Sequence, residues 1–145
     1  AVAPLPSESA RAAVSAGIRL LHDDLDGAHQ LAQGLEGYGS PRIADAWHAI
    51  MHRREGDTSN SQYWWRRVGA HPAGPQLCEW VAAATVAPWT NWRSRLLRQG
   101  IWNPLAHVEL CHEPQTDTDR HALEQRQTIE ALALLIPSLT WGATI

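Results

Sequence analysis

The sequence predicts an all-α fold in a single domain. Apolar residues recur with helical spacing in one segment after another, whereas no stretch shows the sustained alternation of a half-buried β-strand. Glycine, proline and capping residues divide these segments into about seven or eight helices, arranged in helical hairpins. A length of 145 residues is enough for one compact domain with its own core.

Two helical hairpins are predicted over residues 7–69. Pro6 and Ser7 open the first helix, which the sequence His-Asp-Asp at 22–24 ends. An aspartate at that point can cap a second helix, which continues to about residue 36.

A loop at residues 37–41 leads into the second hairpin. Its first helix covers about residues 42–54 and is stopped by Gly56. Ser59 and Gln62 form a candidate capping box for the following helix. The apolar faces are expected at Ile43, Ala46, Trp47 and Ile50 on the third helix and at Ser61, Trp64, Trp65 and Val68 on the fourth.

Residues 76–136 are predicted to hold the remaining helices. A fifth follows a proline and covers about residues 76–87. A sixth is capped by Thr90 and ends at Gly100. A seventh occupies about residues 103–113, where asparagine is followed by a first-turn proline.

The last helix starts at Asp117 or Asp119 and is expected to end at Pro137, because proline interrupts helical hydrogen bonding. Its final residues, 131–136, are apolar on all sides. A segment with that pattern is predicted to lie at the centre of the fold.

The first half also shows a weak internal repeat. Residues 26–28 align with residues 59–61 at an offset of 33, which superimposes the two predicted hairpins. This period resembles that of tetratricopeptide helical pairs, which stack into binding scaffolds. Most of the small and aromatic positions diagnostic of that repeat are missing, so two unrelated hairpins of similar length explain the alignment equally.

Composition restricts the partners and the compartment. The formal charge of −3 is mixed in sign along the chain, which argues against nucleic acid and anionic membranes as partners. No apolar run approaches 18 residues, and the N-terminus shows no secretory pattern. Cys78 and Cys111 are too few for a disulfide framework, so reduced thiols and a cytoplasmic location are expected, although one bridge stays possible.

Titratable and aromatic residues are concentrated in residues 47–72. This segment holds three of the eight histidines, three of the eight tryptophans and four of the twelve arginines. On the third helix, His48, His52 and Glu55 fall within about 60° of one another, away from the apolar face. Two histidines at this spacing can share a divalent metal such as zinc, with the glutamate as a third ligand or a base.

The fourth helix carries a second polar stripe, formed by Asn60, Tyr63 and Arg67. If the two stripes converge, they line a cleft suited to acid–base chemistry on a small polar molecule. His22 and His29 lie on either side of the first turn, and with Asp23 or Asp24 as an orienting partner either can be a ligand or a general base. The candidate catalytic residues are His22, His52, Glu55, Asp57 and Tyr63, the candidate substrate-binding residues are His29, Arg53, Asn60 and Arg67, and the candidate metal ligands are His48 and His52.

Structural roles compete with each of these assignments. A polar stripe opposite an apolar one is also the pattern of any solvated helix face. The arginine pairs can serve as salt-bridge partners, and Arg54, placed near the apolar face, would need a carboxylate if buried. His107 and Cys111 are also spaced as two ligands of one metal ion would be. In residues 89–102 the tryptophans are expected to pack between helices and the arginines to point outward.

The segment also resembles an uncharacterised group of small helical proteins from bacteria and fungi. The matching residues are His-Arg-Arg-Glu at 52–55, Asp57, Asn60, Tyr-Trp at 63–64, Arg-Arg at 66–67 and His-Pro at 71–72, together with Leu-His-Asp-Asp at 21–24 and His29. The resemblance extends over about a third of the chain and implies no particular activity.

Two functions are consistent with the sequence. The first is a small enzyme with a cleft of histidine, carboxylate and tyrosine groups, with or without a divalent metal, acting by acid–base or hydrolytic chemistry. The second is a tetratricopeptide-like module whose tryptophan- and arginine-rich surface binds a peptide or a protein.

Overall fold

The computed structural model describes residues 7–141, which contain eight helices, so the all-α prediction is confirmed. The helices are α1 Glu8–Leu21, α2 Leu25–Gln33, α3 Ile43–Arg54, α4 Thr58–Val68, α5 Gly74–Ala83, α6 Trp89–Leu96, α7 Pro104–His112 and α8 Asp117–Leu139. A short antiparallel hairpin, β1 Leu97–Arg98 and β2 Ile101–Trp102, connects α6 to α7.

Helices α1 to α4 form the two predicted hairpins. The Ser7 side chain caps α1 by accepting a hydrogen bond from the amide of Ala10, while Pro6 lies outside the described residues. The Asp24 and Asp57 side chains cap α2 and α4 in the same way. The predicted capping box of α4 is therefore wrong, because Asp57, two positions before Ser59, already supplies the cap. The second helix of each hairpin is thus capped by an aspartate, and the relation of the hairpins to tetratricopeptide repeats stays a prediction.

The predicted boundaries are less accurate after α4. Helix α5 ends at Ala83, earlier than expected, and α6 begins at Trp89 without a cap from Thr90. The β-hairpin replaces the expected last turn of α6, with Gln99 and Gly100 at φ values of 53° and 75°. Strands of two residues are too short to show alternation, so no periodicity in the sequence reveals them.

Helix α8 also differs from its prediction. It is capped by Thr116 rather than by an aspartate, and it continues past Pro137 to Leu139. Its apolar end is not central on all sides, since Leu132 and Ile136 are 52% and 64% exposed. Apolar residues are common on protein surfaces, so an apolar run alone does not establish burial.

Two apolar cores hold the described elements together. The larger lies among α1 to α4 and the end of α8, and it includes Trp47, Ile50 and Trp65. The smaller lies among α5 to α7 and the start of α8, and it includes Leu77, Trp89 and Trp102. The expected inward faces of α3 and α4 are thus confirmed, although Val68 is only half-buried.

Gly17 marks the closest approach of α1 to the larger core. A Cβ atom at this position would lie 2.6 Å from Cζ2 of Trp47 and 2.9 Å from Cδ2 of Leu135. The Trp47 ring cannot move freely, because its indole N–H donates a hydrogen bond to Oγ of Ser138 at 3.1 Å. The contact therefore requires glycine.

Replacing Gly17 with alanine is expected to lower the free energy of unfolding by about 1–3 kcal/mol, because the added methyl group overpacks the core. Urea unfolding followed by tryptophan fluorescence measures this change. Gly34→Ala is the matched control, since a Cβ there lies 3.6 Å from its nearest neighbours and the backbone is already helical. Equal losses of stability in the two variants would contradict the overpacking.

Candidate metal centre

Three histidines from two helices meet on one side of the larger core. The ring centroid of His29, on α2, lies 4.7 Å from that of His48 and 5.6 Å from that of His52. His48 and His52 are one turn apart on α3, with their rings stacked at 4.8 Å. One ring nitrogen from each histidine lies within 4.8 Å of the others. The two predicted metal ligands, His48 and His52, therefore lie close together, and His29 is a third candidate ligand beside them. His29 is among the candidate substrate-binding residues predicted from the sequence.

The packing of α3 explains why these rings are close. The helix is covered by its neighbours on several sides, so even its polar face is buried, with His48 and His52 only 3% and 9% exposed. Trp64 of α4 forms one wall of the cluster, stacking on His48 at 4.0 Å. His29 is half-buried and reaches the cluster from the neighbouring hairpin. The three imidazoles therefore gather behind an aromatic wall and do not line an open, solvated face.

His48 is held in its neutral form. Burial, followed by the charges of the nearby His52 and His29, lowers the pKa of His48 to about 3. Its Nδ1 atom is buried and has no partner among the described residues. A neutral imidazole with an unused nitrogen is the form in which histidine binds a metal ion.

Glu55 orients His52. Nδ1–H of His52 donates a hydrogen bond to Oε1 of Glu55 at 2.7 Å, so in the neutral imidazole Nε2 is the nitrogen that offers a lone pair. The backbone fixes this arrangement, because α3 ends in a turn in which Gly56 has a φ of 83° and the amide of Asp57 donates to the carbonyl of His52. A carboxylate bound to the far nitrogen of a metal-binding histidine is the usual way proteins position such a ligand.

Asp57 lies at the outer edge of the cluster. One carboxylate oxygen of Asp57 lies within 4.8 Å of ligand atoms of His52 and Glu55. Hydrogen bonds from the amide of Asn60 and then from its side chain lower the pKa of Asp57, with a smaller contribution from His52. The site therefore has an ionised carboxylate next to its exposed rim.

The spacing of the imidazoles is close to that required by a metal ion. Imidazole nitrogens bind zinc at roughly 2.0–2.1 Å, so two ligands of the same ion are at most about 4.2 Å apart. Small ring rotations would bring the three nitrogens, now within 4.8 Å, to that separation. The nitrogen donors suit a transition metal better than calcium or magnesium, which prefer oxygen.

The other predicted stripe lies outside this cluster. Asn60 bonds to Asp57, while Arg67 donates a hydrogen bond to the hydroxyl group of Tyr63 at 3.1 Å. The Arg67 guanidinium also lies over the Trp64 ring, 5.2 Å from its centroid. Among the described residues, the contacts of Tyr63 and Arg67 connect them to Trp64 and not to the imidazoles. They form an exposed surface beside the aromatic wall.

His22 and the arginines of α3 are placed elsewhere. His22 is exposed at the end of α1. Arg54 is partly exposed, and the carboxylate with which it pairs is that of Asp23. Arg53 is the buried arginine instead, and its guanidinium contacts Glu130 rather than a solvent-accessible cleft. Helical geometry gives the angle between the Arg53 and Arg54 side chains, but it does not predict which of the two faces α8.

Glu130 is the centre of a buried ion cluster that the sequence did not indicate. Its carboxylate accepts a hydrogen bond from Nη2 of Arg53 at 2.5 Å and one from Nε2 of His71 at 2.9 Å. Nδ1 of His107 lies 3.2 Å from Nη1 of Arg53. Arg126, also buried, packs its guanidinium 4.1 Å from the ring centroid of Trp80. The only sequence signal was an isolated glutamate at the start of an apolar run.

The protonation states in this cluster follow from its contacts. Nδ1 of His71 accepts a hydrogen bond from the amide of Ala73, so Nε2 carries the proton that it donates to Glu130. Burial, followed by the charge of Arg53, lowers the pKa of His107 to about 3. Burial opposes the charge of Glu130, but Arg53, His107 and His71 together outweigh it and hold the Glu130 pKa well below its usual range.

The remaining sequence motifs take structural roles. His107 is committed to Arg53, and Cys111 is a half-buried free thiol, as is Cys78, so no bridge joins them. Trp89 and Trp102 are buried, while Arg95 pairs with Glu113 at the surface.

Comparison of the chain with protein-family models, with curated proteins and with solved structures finds no match. None of the helices over the described residues combines the length and the apolar character needed to cross a bilayer.

Proposed function

We propose that His29, His48 and His52 bind a zinc-type divalent ion, and that the protein uses it to hydrolyse a small polar substrate. The convergence of three imidazoles within 4.8 Å is the observation that supports this proposal. Two further features agree with it. His48 is neutral, and His52 is oriented by a carboxylate.

Hydrolysis is favoured over a purely structural role by the number of ligands. Structural zinc sites are closed by four protein ligands, whereas hydrolytic sites use three and leave one position for water or substrate. Asp57, the ionised carboxylate at the rim, can hold the attacking water by hydrogen bonding, while Glu55 orients His52. His29 is only half-buried, so the cluster is not completely covered.

We expect the untagged protein to bind one equivalent of zinc or cobalt, measured by elemental analysis after gel filtration and by cobalt absorption. His29→Gln and His52→Gln should each remove this binding, because two imidazoles hold the ion far less tightly than three. His121→Gln changes an exposed histidine on α8 and should bind the metal normally. Retention of metal by both cluster variants, or failure of the wild-type protein to bind either ion, would exclude this centre.

Glu55→Gln provides a finer test of the same centre. Loss of an orienting carboxylate typically reduces metal affinity or activity by roughly 10–100-fold. The variant should therefore bind zinc more weakly while keeping its fold, since Glu55 is exposed at the end of α3. Glu79→Gln, at another exposed glutamate, is its control.

Hydrolysis is tested with p-nitrophenyl acetate and p-nitrophenyl phosphate on zinc-loaded and metal-free protein. Turnover of either ester should depend on zinc and be lost in His29→Gln. Stoichiometric zinc binding without zinc-dependent turnover of either ester would count against the hydrolytic part of the proposal and would indicate a structural ion.

A further inference from the structure

A cavity lies beside the end of α4. Trp65 lines this cavity, whereas the neighbouring Trp64 stacks on His48 of the histidine cluster. Its volume is about 370 Å³, it is open to solvent, and it is bordered by the end of α4, the β-hairpin and the start of α7. Trp65 and Trp102 contribute its aromatic walls, and Ile101 and Leu105 its aliphatic ones. Among the described residues, those that line it include no aspartate or glutamate.

Two unpaired cations face this cavity. Arg66 and Arg98 both line it, and within residues 7–141 neither guanidinium takes part in an ion pair, a hydrogen bond or a ring contact. Other surface arginines are engaged, as Arg95 is with Glu113 and Arg120 with Asp117. Two guanidinium groups without carboxylates, at the edge of one cavity, form a suitable site for an anion.

The two tryptophans that line the cavity differ from other buried tryptophans in their indole N–H groups. Trp65 and Trp102 are only 1% and 3% exposed, and their indole N–H groups have no partner within the described residues. The indoles of Trp47 and Trp141, by contrast, donate to Oγ of Ser138 and to the carbonyl of Pro41. Both nitrogens are covered from solvent, so they lie beneath the cavity wall and their N–H signals can report on a molecule that packs against the indole rings.

Helix α7 adds to the positive potential. It has nine residues and begins at Pro104, on the cavity wall. The N-terminal end of a helix carries a partial positive charge and favours anions. This effect acts in the same direction as Arg66 and Arg98.

We propose that this cavity binds a small organic anion, a molecule with a phosphate or carboxylate group on an apolar body. The anionic group lies between Arg66 and Arg98, and the apolar body packs against Trp102, Ile101 and Leu105. The volume of 370 Å³ exceeds what a bare phosphate ion fills and falls within the usual range for small-molecule sites. This site does not depend on the metal centre, and its occupancy is measurable in metal-free protein.

Phenyl phosphate, benzoate and inorganic phosphate serve as probes, with benzyl alcohol as the neutral comparison. Indole N–H resonances in a nitrogen–proton NMR spectrum report the site directly. Phenyl phosphate or benzoate should shift the signals of Trp65 and Trp102 saturably, while the signals of Trp47 and Trp141 stay in place. Inorganic phosphate should bind more weakly than phenyl phosphate, and benzyl alcohol should produce no saturable shift.

Arg66→Gln with Arg98→Gln is the test variant, and Arg120→Gln is its matched control. The double variant should reduce affinity by about tenfold or more for each charge-assisted hydrogen bond that it removes. Both arginines are exposed and unpaired, so the fold should be unchanged, which circular dichroism verifies. The proposal is overturned if no anionic probe binds the wild-type protein, if Trp65 and Trp102 do not respond, or if the double variant binds as the wild type does.

Discussion

Replacing Glu130 with glutamine is expected to lower the free energy of unfolding by about 3–5 kcal/mol, the usual cost of removing one partner from a buried ion pair. Glu130 and Arg53 are both fully enclosed, with their charged atoms 2.5 Å apart. The neutral amide would leave the Arg53 charge unpaired and, through its NH₂ group, would place a donor against a donor of either Arg53 or His71. Urea unfolding at neutral pH measures the loss.

Two further variants isolate the cause of that loss. Glu124→Gln, at an exposed glutamate of the same helix, should change stability by no more than about 0.5 kcal/mol. Arg53→Met combined with Glu130→Leu should be less destabilising than the sum of the two single changes, because neither charge is then left alone. A loss below about 1 kcal/mol in Glu130→Gln would mean that the pair contributes far less than its burial implies.

Features of the fold that depend only on residues close together in the sequence could be predicted. The caps at Ser7, Asp24 and Asn103 satisfy the first amides of their own helices, so each cap is recognisable within a few residues. The apolar face of α4 follows equally from its period. The predictions fail where a feature is very short, as in the β-hairpin, or where a nearby residue serves as the cap instead, as Asp57 does.

The candidate site could be predicted only in part, because some of its contacts join residues that are distant in the sequence. His48 and His52 are one turn apart, so their proximity follows from helical geometry. His29 joins them through the packing of α2 against α3, which no local pattern reveals. The Glu130 cluster depends entirely on such distant contacts, because Arg53 and Glu130 are 77 positions apart in the chain.

Helical periodicity predicts the burial of side chains on α3 less accurately than it predicts their direction. A helical wheel correctly separates His48 and His52 from the face of Trp47, but it implies that the opposite face is solvated. Helix α3 is instead covered on several sides, by α2, α4 and α8, so its polar face is buried too. A wheel describes one helix, whereas exposure depends on how many neighbours surround it.

Acidification is expected to destabilise the protein strongly between pH 6.5 and 4.5. His48 and His107 have pKa values lowered to about 3 in the folded protein, against an ordinary value of 6.5 in the unfolded chain. Between these values the unfolded chain binds more protons, so the free energy of unfolding falls as the pH falls. Each fully shifted histidine contributes up to roughly 1.4 kcal/mol per pH unit, which amounts to several kcal/mol for the pair.

Below about pH 4.5 Glu130 adds to this effect. Its pKa is lowered in the folded protein, so the unfolded chain takes up a proton there before the folded one does. Measurements between pH 7 and 4.5 therefore report mainly on the histidines. Urea unfolding in the presence of EDTA keeps metal release from the histidine cluster out of the comparison.

His107→Asn separates the contribution of one histidine. The asparagine Oδ1 can take the place of Nδ1 and accept the hydrogen bond from Arg53, but it cannot be protonated in this range. The variant is expected to lose some stability at pH 7 because of its smaller volume, and to show a shallower dependence on pH. His121→Asn, at an exposed histidine, should retain the wild-type slope. A wild-type stability that stays constant from pH 7 to 4.5 would show that His48 and His107 are not buried in their neutral forms. That result would also remove one support of the proposed metal centre, which requires neutral His48.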